Sequence, residues 1–204
     1  MINNIIFDWS GVIKDSVLDH LIATNKMFKK LGAKEITLKE LQENWHQPYM
    51  IFYNKYLPDL TIDQFEVEYK ESIAESPQAK EYPGISDLIK KIKKNGKKLV
   101  VLSSDSPDTI LPEMKIFDLE NIFNDMYMDI HDKGEVINDL MKKNNFDKKN
   151  TVFIGDSNHE IEVGKKVGVK TIAVTWGFNS ENKLKAEKPN FIVHNLKELE
   201  EIIL

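Results

Sequence analysis

Apolar positions along the chain form two kinds of pattern: short continuous runs, and stripes at helical spacing. The first run covers residues 5–7 and leads into Asp8, which the turn Ser10-Gly11 follows. A short apolar run bounded by a turn predicts a strand that is buried in a sheet. We therefore expect the chain to begin with a buried strand whose carboxyl end carries Asp8.

Helical patterns without a convincing strand fill the region that follows, up to about Lys80. Apolar stripes, capping residues and Gly stop signals define its elements. The predicted elements are a helix over residues 17–31, a second helix with a capping box of Thr37 and Glu40, an aromatic-rich segment over residues 45–56, and a helix from Thr61 toward Ser76.

After Pro83-Gly84 the pattern changes to alternating helices and strands. The predicted helices cover residues 85–95, 107–114, 116–123, 134–144, a segment ending at Val167, and 196–203, and the predicted strands cover residues 98–102, 126–128, 151–154, 171–174 and 191–193. Such alternation predicts parallel βαβ units. The fold class is therefore α/β, a doubly wound parallel sheet of Rossmann-like type. We place its core domain at residues 1–15 and 81–204, and an inserted all-helical domain at residues 16–80.

Composition narrows the class of protein without pointing to a function. Hydrophobic residues make up 41% of the 204 residues and charged residues 30%, which is ordinary for a globular protein. The net charge of −5 does not favour a nucleic acid or an anionic membrane as the main partner. Cysteine is absent, which excludes disulfides and thiol catalysis. No signal peptide or membrane-length apolar run is visible, so we expect a cytoplasmic protein, either a monomer or a homodimer.

Four polar clusters fall near predicted strand ends or helix starts, at the edge where such sheets bind ligands. They are Asp8 with Ser10 and Gly11, Ser103 with Ser104, Lys133, and Asp156 with Glu160. Carboxylates on separate strand ends suit a hard cation such as Mg²⁺. Hydroxyl, lysine and turn N–H groups suit phosphate or another oxyanion. An aspartate beside such a metal can attack phosphorus and form an aspartyl-phosphate.

The order of these motifs resembles that of the haloacid dehalogenase superfamily, in the branch of the phosphoglycolate phosphatases and phosphonatases, which carries a helical cap. The first motif of that superfamily is typically Asp-x-Asp-Gly-[Thr/Val], and here it is the segment that begins with Asp8-Trp9-Ser10-Gly11. The remaining motifs match Ser103, Lys133, and Gly155-Asp156 with Glu160. The inserted helical region stands where that branch has its cap.

This resemblance implies a role for each matched residue. Asp8 would be the nucleophile toward the phosphoryl group of a small phosphorylated metabolite. Mg²⁺ would be held by Asp8, the main-chain carbonyl of Ser10 and Asp156, with Glu160 supporting the metal site. The phosphate oxygens would be bound by Gly11, Ser103, Ser104 and Lys133, and Lys133 would also screen the charge of Asp8.

Ser10 departs from the pattern. The family usually has an aspartate there, which acts as acid toward the leaving oxygen and then as base toward water. A serine hydroxyl cannot do this at neutral pH, and such proton transfer is commonly worth about 10²–10⁴-fold in rate. The sequence therefore predicts a slow phosphatase, or one that acts on substrates with good leaving groups.

Two alternatives stay open at this point. Ser10 is compatible with a phosphate- or metabolite-binding protein whose catalysis is weak or lost. The Asp-Trp-Ser-Gly turn is also similar to that of phosphonoacetaldehyde hydrolases, which break a carbon–phosphorus bond and need a cap lysine. Lys55 is the only lysine in the aromatic part of the predicted cap. We expect His46 and His159 to be solvated polar residues, with His46 the better candidate for contacting substrate.

Overall fold

A computed structural model of the chain describes residues 1–73 and 79–204. The elements in chain order are β1 (Asn4–Phe7), α1 (Val17–Lys30), α2 (Leu38–Asn44), α3 (Tyr49–Tyr56), α4 (Ile62–Ile73), α5 (Ile85–Lys94), β2 (Lys98–Leu102), α6 (Pro107–Ile116), β3 (Asp125–Tyr127), α7 (Lys133–Lys143), β4 (Thr151–Gly155), α8 (Asn158–Val167), β5 (Lys170–Val174), α9 (Glu181–Ala186), β6 (Phe191–Val193) and α10 (Leu196–Ile203).

The six strands form one parallel sheet in the order β3-β2-β1-β4-β5-β6. β1 lies in the middle, with Ile5 opposite both Leu99 of β2 and Val152 of β4. The strand order reverses direction around β1, and the carboxyl ends at such a switch point are where open α/β sheets bind ligands. The predicted fold class, an α/β doubly wound parallel sheet with a helical region after the first strand, is confirmed.

Both faces of the sheet are covered, because successive side chains of a strand point to opposite sides. Ile5 and Phe7 pack into one hydrophobic cluster with α5, α6 and α10. Ile6 packs into a second cluster, which includes residues of α7 and α8. Between their polar first residues, Asn4, Lys98 and Thr151, and the polar residues that follow them, the central strands are apolar or glycine.

Helices α1 to α4 form a third hydrophobic cluster, which is rich in aromatic rings. The two chain segments that connect these helices to the sheet run side by side and form a paired crossing. Asp15 N–H donates to Lys80 C=O at 2.9 Å, and Tyr82 N–H donates to Ile13 C=O at 2.8 Å. The division into a core at residues 1–15 and 81–204 and a cap at residues 16–80 stays a prediction; its boundaries fall at this paired crossing.

One predicted element is wrong: residues 116–123 do not form a second helix. α6 runs two residues further than expected, and Leu119 N–H then donates to Met114 C=O at 2.8 Å, which closes the helix end. Asp118 and Asn121 adopt left-handed backbone conformations, with φ of 53° and 62°. A chain with such residues turns instead of continuing as a helix.

The other predicted elements after Pro83 form within two residues of their expected bounds, while the short helix α9 had not been predicted. The helix expected from Thr61 toward Ser76 is α4; Ser76 lies outside the described residues. The capping box of Thr37 and Glu40 is present at the start of α2.

Candidate active site

Two carboxylates stand next to each other at the carboxyl edge of the sheet, because the strands that carry them are paired. Asp8 follows β1 and Asp156 follows β4, and Asp8 N–H donates to the Ile154 carbonyl at 3.0 Å. Both side chains are buried. The expected convergence of the first and last motifs is therefore found in the structure.

Lys133, the first residue of α7, reaches this edge from the second face of the sheet. Its Nζ lies 2.6 Å from Asp8 Oδ2 and 2.7 Å from Glu160 Oε1. Only 4% of its side chain is exposed. A buried ammonium of this kind needs partners with good geometry, and these two carboxylates provide them.

Negative charge exceeds positive charge within this cluster. Single carboxylate oxygens of Asp8, Asp156 and Glu160 all lie within 4.8 Å of one another, and Lys133 is the one lysine bonded to them among the described residues. Burial raises the pKa of Asp8 to about 7, although Lys133 acts to lower it. Burial, together with the neighbouring Glu160 and Asp8, raises the pKa of Asp156 well above its usual value. Carboxylates that resist ionisation for lack of counter-charge fit a site that takes a cation.

Glu160 differs from its two neighbours because its partners favour the charged form. Burial alone would raise its pKa, but Lys133, His159 and a hydrogen bond from Ser157 lower it. Glu160 Oε2 accepts from the main-chain N–H and hydroxyl of Ser157 at 3.0 and 2.6 Å, forming a capping box at the start of α8. The helix start thus fixes one oxygen and leaves the other for Lys133.

Glycines surround the carboxylates where no side chain would fit. A Cβ on Gly177 would lie 2.2 Å from Asp156 Oδ2, and a Cβ on Gly11, where φ is 77°, would also lie 2.2 Å from that atom. The N–H of Phe178 donates to Asp156 Oδ2 at 2.6 Å. The main chain therefore approaches Asp156 closely from two sides.

The other residues expected to contact phosphate differ in their hydrogen-bond partners and in whether they line the cavity. Ser103 is buried, and its hydroxyl is engaged with Asp105, accepting from the Asp105 N–H and donating to Oδ2 at 3.1 Å each. Ser104 lines the cavity in front of the carboxylates. The N–H of Gly11 donates to the Lys14 carbonyl at 2.9 Å. Phosphate contacts by Ser103, Ser104 and Gly11 stay predictions.

A cavity of about 520 Å³ separates the carboxylates from the helical region. Asp8, Ser10, Asp156 and Glu160 line one side of it. The opposite side is largely aromatic and is formed by Trp45, Tyr49, Tyr53, Phe65 and Tyr69. Proteins commonly bind small molecules in cavities of a few hundred cubic ångströms that are lined mainly by apolar side chains and a small number of polar groups.

A match to a known protein family identifies the kind of protein that has this site. The model of the haloacid dehalogenase-like hydrolases matches residues 5–174, which is most of the chain. The chain belongs to the haloacid dehalogenase-like hydrolase family. The family suggested by the order of motifs is thereby confirmed.

Relatives within this family include two kinds of phosphatase. The chain is 23% identical over 210 residues to phosphoglycolate phosphatase 1 of Pseudomonas aeruginosa, covering 96% of this chain and 77% of that protein. It is also 23% identical over 210 residues to the pyrophosphatase PpaX of Bacillus mycoides, covering 97% and 95%. The solved structure of a haloacid dehalogenase-like family hydrolase from Streptococcus pneumoniae has the same fold, with a TM-score of 0.82 at 21% identity over 100% and 99% of the two chains.

Several cavity residues of this family member had not been singled out from the sequence. His20 lines the cavity, whereas the favoured His46 is exposed. Lys14 and Glu113 also line the cavity and form an ion pair with each other. Glu113 lies inside a helix with no motif around it, so only the fold reveals its place.

Lys55 lies outside the cavity of this haloacid dehalogenase-like hydrolase. Its side chain is exposed and bonded to Asn44 Oδ1. The structure therefore does not bring Lys55 to the place where a carbon–phosphorus hydrolase would need its cap lysine. Over residues 1–73 and 79–204, no helix combines the length and apolarity that crossing a membrane takes.

Proposed function

We propose that this protein is a Mg²⁺-dependent phosphohydrolase that acts on a small phosphorylated metabolite through an aspartyl-phosphate on Asp8. The observation that carries the proposal is the buried cluster of Asp8, Asp156, Glu160 and Lys133 beside a cavity. The protein's membership of a hydrolase family and its similarity to phosphatases support the same chemistry.

The residues around Asp8 are arranged to keep it in place as a nucleophile. Asp8 Oδ1 accepts from the Trp9 N–H at 2.7 Å, and Oδ2 accepts from Lys133. These bonds fix the carboxylate relative to the cavity, and fixed geometry is a large part of the advantage of an enzyme. The Lys133 ammonium also reduces the charge repulsion that an incoming phosphate would meet.

Asp8, Asp156 and the Ser10 carbonyl would hold Mg²⁺, with Glu160 supporting the site. The excess of buried carboxylates over cations fits a divalent ion, and Mg²⁺ prefers oxygen ligands. When bound, the ion would neutralise the phosphoryl oxygens and favour the ionised forms of Asp8 and Asp156.

The volume and lining of the cavity favour a metabolite of modest size as the substrate. Its volume of about 520 Å³ and its aromatic wall suit a substrate with a compact phosphorylated group and a partly apolar remainder. The names of the relatives, phosphoglycolate phosphatase and pyrophosphatase, are consistent with small phosphorylated substrates.

The test is phosphate release from a panel of phosphoesters in the presence of Mg²⁺. We expect turnover by the wild type, loss of turnover in Asp8→Asn, and loss on removal of the metal with a chelator. Asp118→Asn is the matched control, because Asp118 is an exposed aspartate that neither belongs to the cluster nor lines the cavity. Equal phosphate release by the wild type and Asp8→Asn across the panel contradicts the proposal.

Ser10 supports a second candidate, a phosphate- or metabolite-binding protein with little turnover. It lines the cavity in the place where the family usually has its acid–base aspartate. Calorimetry with inorganic phosphate and Mg²⁺ separates the two functions. Binding without turnover on any phosphoester favours the binding protein, and turnover that needs Asp8 favours the enzyme.

A further inference from the structure

Hydrolysis of a phosphoester leaves negative charge on the departing oxygen, and Ser10 brings no acidic group to meet it. This inference rests on the proposed function and concerns what acts on the leaving group. Among the described residues that line the cavity, Lys14 is the only lysine. Its position follows from the same turn that carries Ser10.

The main chain holds Lys14 directly beside Ser10. Gly11 N–H donates to the Lys14 carbonyl at 2.9 Å, and Lys14 N–H donates to the Trp9 carbonyl at 3.0 Å. Ser10 and Lys14 are paired as an isolated parallel bridge. The turn itself therefore places Lys14 beside Ser10 in the lining of the cavity that Asp8 also lines, independently of the helices of the cap.

The Lys14 side chain is held by a buried carboxylate. Glu113 of α6 is 6% exposed, and its Oε1 is paired with Lys14 Nζ. Its other oxygen accepts from Trp9 Nε1 at 2.7 Å. Apolar residues would fill this space without the cost of removing two charges from water, so the pair is not explained by stability alone. A cation kept in fixed geometry at a cavity wall suits a negatively charged group that enters the cavity.

The neighbouring histidine on this wall is engaged with other side chains. His20 has both ring nitrogens engaged, with Tyr69 Oη at 2.6 Å and Tyr53 Oη at 3.1 Å. Ser16, two residues beyond Lys14, lines the cavity with a buried hydroxyl that has no hydrogen-bond partner among the described residues. This wall therefore carries one fixed cation and one unsatisfied hydroxyl, which together suit a polar ligand group.

We propose that Lys14 is a catalytic residue whose ammonium contacts the leaving-group oxygen and stabilises the charge that develops there. Asp8 forms its bond to phosphorus while the bond from phosphorus to the leaving oxygen breaks, and the electron pair goes to that oxygen. The oxygen takes its proton from a water molecule, and the resulting hydroxide hydrolyses the aspartyl-phosphate to inorganic phosphate and free Asp8. The sum is one phosphoester and one water converted to one alcohol and one phosphate.

The test compares phosphate esters with leaving groups of different basicity. A poor leaving group, such as an alkyl alcohol, depends on a stabilising cation more strongly than 4-nitrophenol does. For Lys14→Met we expect a loss of kcat/KM of about 10²-fold on alkyl phosphates, a size typical of a lost transition-state contact, and a much smaller loss on 4-nitrophenyl phosphate. Lys14→Arg keeps the charge and is expected to keep the dependence on leaving group close to that of the wild type.

Lys39→Met is the matched control, since it removes an exposed lysine that is also near a glutamate, with Nζ 3.8 Å from Glu43. Adding Ser10→Asp to Lys14→Met should restore activity on alkyl phosphates. An equal loss on all esters, or no loss, overturns the role of Lys14. Should Lys14→Met fail to fold by circular dichroism, Lys14→Gln replaces it. Absence of wild-type turnover above Asp8→Asn on every ester of the panel instead rejects the proposed function.

Discussion

At Ser10, a single substitution is expected to change the rate of phosphoester hydrolysis strongly. Replacing it by aspartate supplies the acid and base that the family usually carries there. Because Asp8, Asp156 and Lys133 are already in place, we expect Ser10→Asp to raise kcat on alkyl phosphates by about 10²–10⁴-fold. The rate of phosphate release by the two proteins measures this gain.

Ser10→Ala is the matched control for that gain, since it changes the same position without adding a carboxylate. If Ser10→Asp turns over no faster than Ser10→Ala while phosphate still binds, proton transfer is not what limits this protein. The binding function is then favoured over the enzyme.

His20 gives a prediction about pH. Burial, with a contribution from the charge of Lys14, lowers the pKa of His20 to about 3 from its usual value of 6.5. Between these values the unfolded chain binds a proton that the folded protein does not. Stability is therefore retained above pH 6.5 and lost as the pH falls toward 3, by up to about 1.4 kcal/mol per pH unit.

Urea denaturation over this pH range checks the prediction with His20→Phe, which removes the titrating group and keeps an aromatic ring between Trp45 and Phe178. The variant should lose less stability than the wild type on acidification. His194→Phe is the contrast, because Glu181 and Glu198 raise the pKa of His194, so its contribution is present at low pH and lost as the pH rises. A wild type and a His20→Phe variant with parallel pH profiles contradict the assignment.

Single residues could be predicted where a motif marks them and not where only the fold brings them together. Asp8, Lys133 and Asp156 are separated by long stretches of chain, yet each follows a strand or begins a helix, which local pattern reveals. Lys14 and Glu113 meet because the first turn lies against α6. No spacing in the sequence encodes that contact.

At the scale of elements, the loop after β5 forms one wall of the carboxylate cluster. A Cβ on Gly177 would lie 2.2 Å from both Cβ and Oδ2 of Asp156. We therefore expect Gly177→Ala to displace Asp156 and to weaken Mg²⁺ binding at least tenfold, since that contact cannot relax without moving the ligand. Isothermal calorimetry with Mg²⁺ measures this.

Gly164→Ala is the matched control, because its Cβ would meet Thr171 Cγ2 at 2.4 Å, a clash of similar severity in the packing of α8 against β5. Both variants should lose stability, and only Gly177→Ala should lose metal affinity. Equal metal affinity in the two variants would show that Asp156 tolerates the displacement or does not hold the ion.

Elements were predictable where periodicity and end signals agree. The central strands and the helices that cover them satisfy both conditions, and their bounds follow the sequence closely. Residues 116–123 have apolar positions at helical spacing but adopt turns with left-handed Asp118 and Asn121. The spacing of apolar residues carries no information on such left-handed positions. The helix α9 is too short for periodicity to stand out.

At the scale of the whole molecule, hydrogen bonds between described residues join the helical region to the sheet domain at two places. One is the paired crossing near Asp15 and Lys80. The other is the loop after β5, where Gln42 Nε2 donates to the Gly177 carbonyl at 3.0 Å and Asn179 Nδ2 donates to the Trp45 carbonyl at 3.3 Å. The sequence predicts the first junction from the position of the insertion, whereas the second depends on side chains that meet only after folding.

Phe178 connects the carboxylate cluster to the aromatic wall, and this gives the protein an optical reporter of its own. Its N–H binds Asp156, and its ring lies 4.9 Å from the ring of Trp45. An ion that neutralises Asp156 changes the electric field at that indole, whose emission responds to its surroundings. Titration with Mg²⁺ should therefore change tryptophan fluorescence in the wild type and in Trp176→Phe. The change should be smaller in Trp45→Phe, where Trp9 beside Asp8 still responds, while calorimetry still detects binding. An undiminished response in Trp45→Phe would place the emitting residue elsewhere; the expected result provides a label-free way to follow ligand entry in real time.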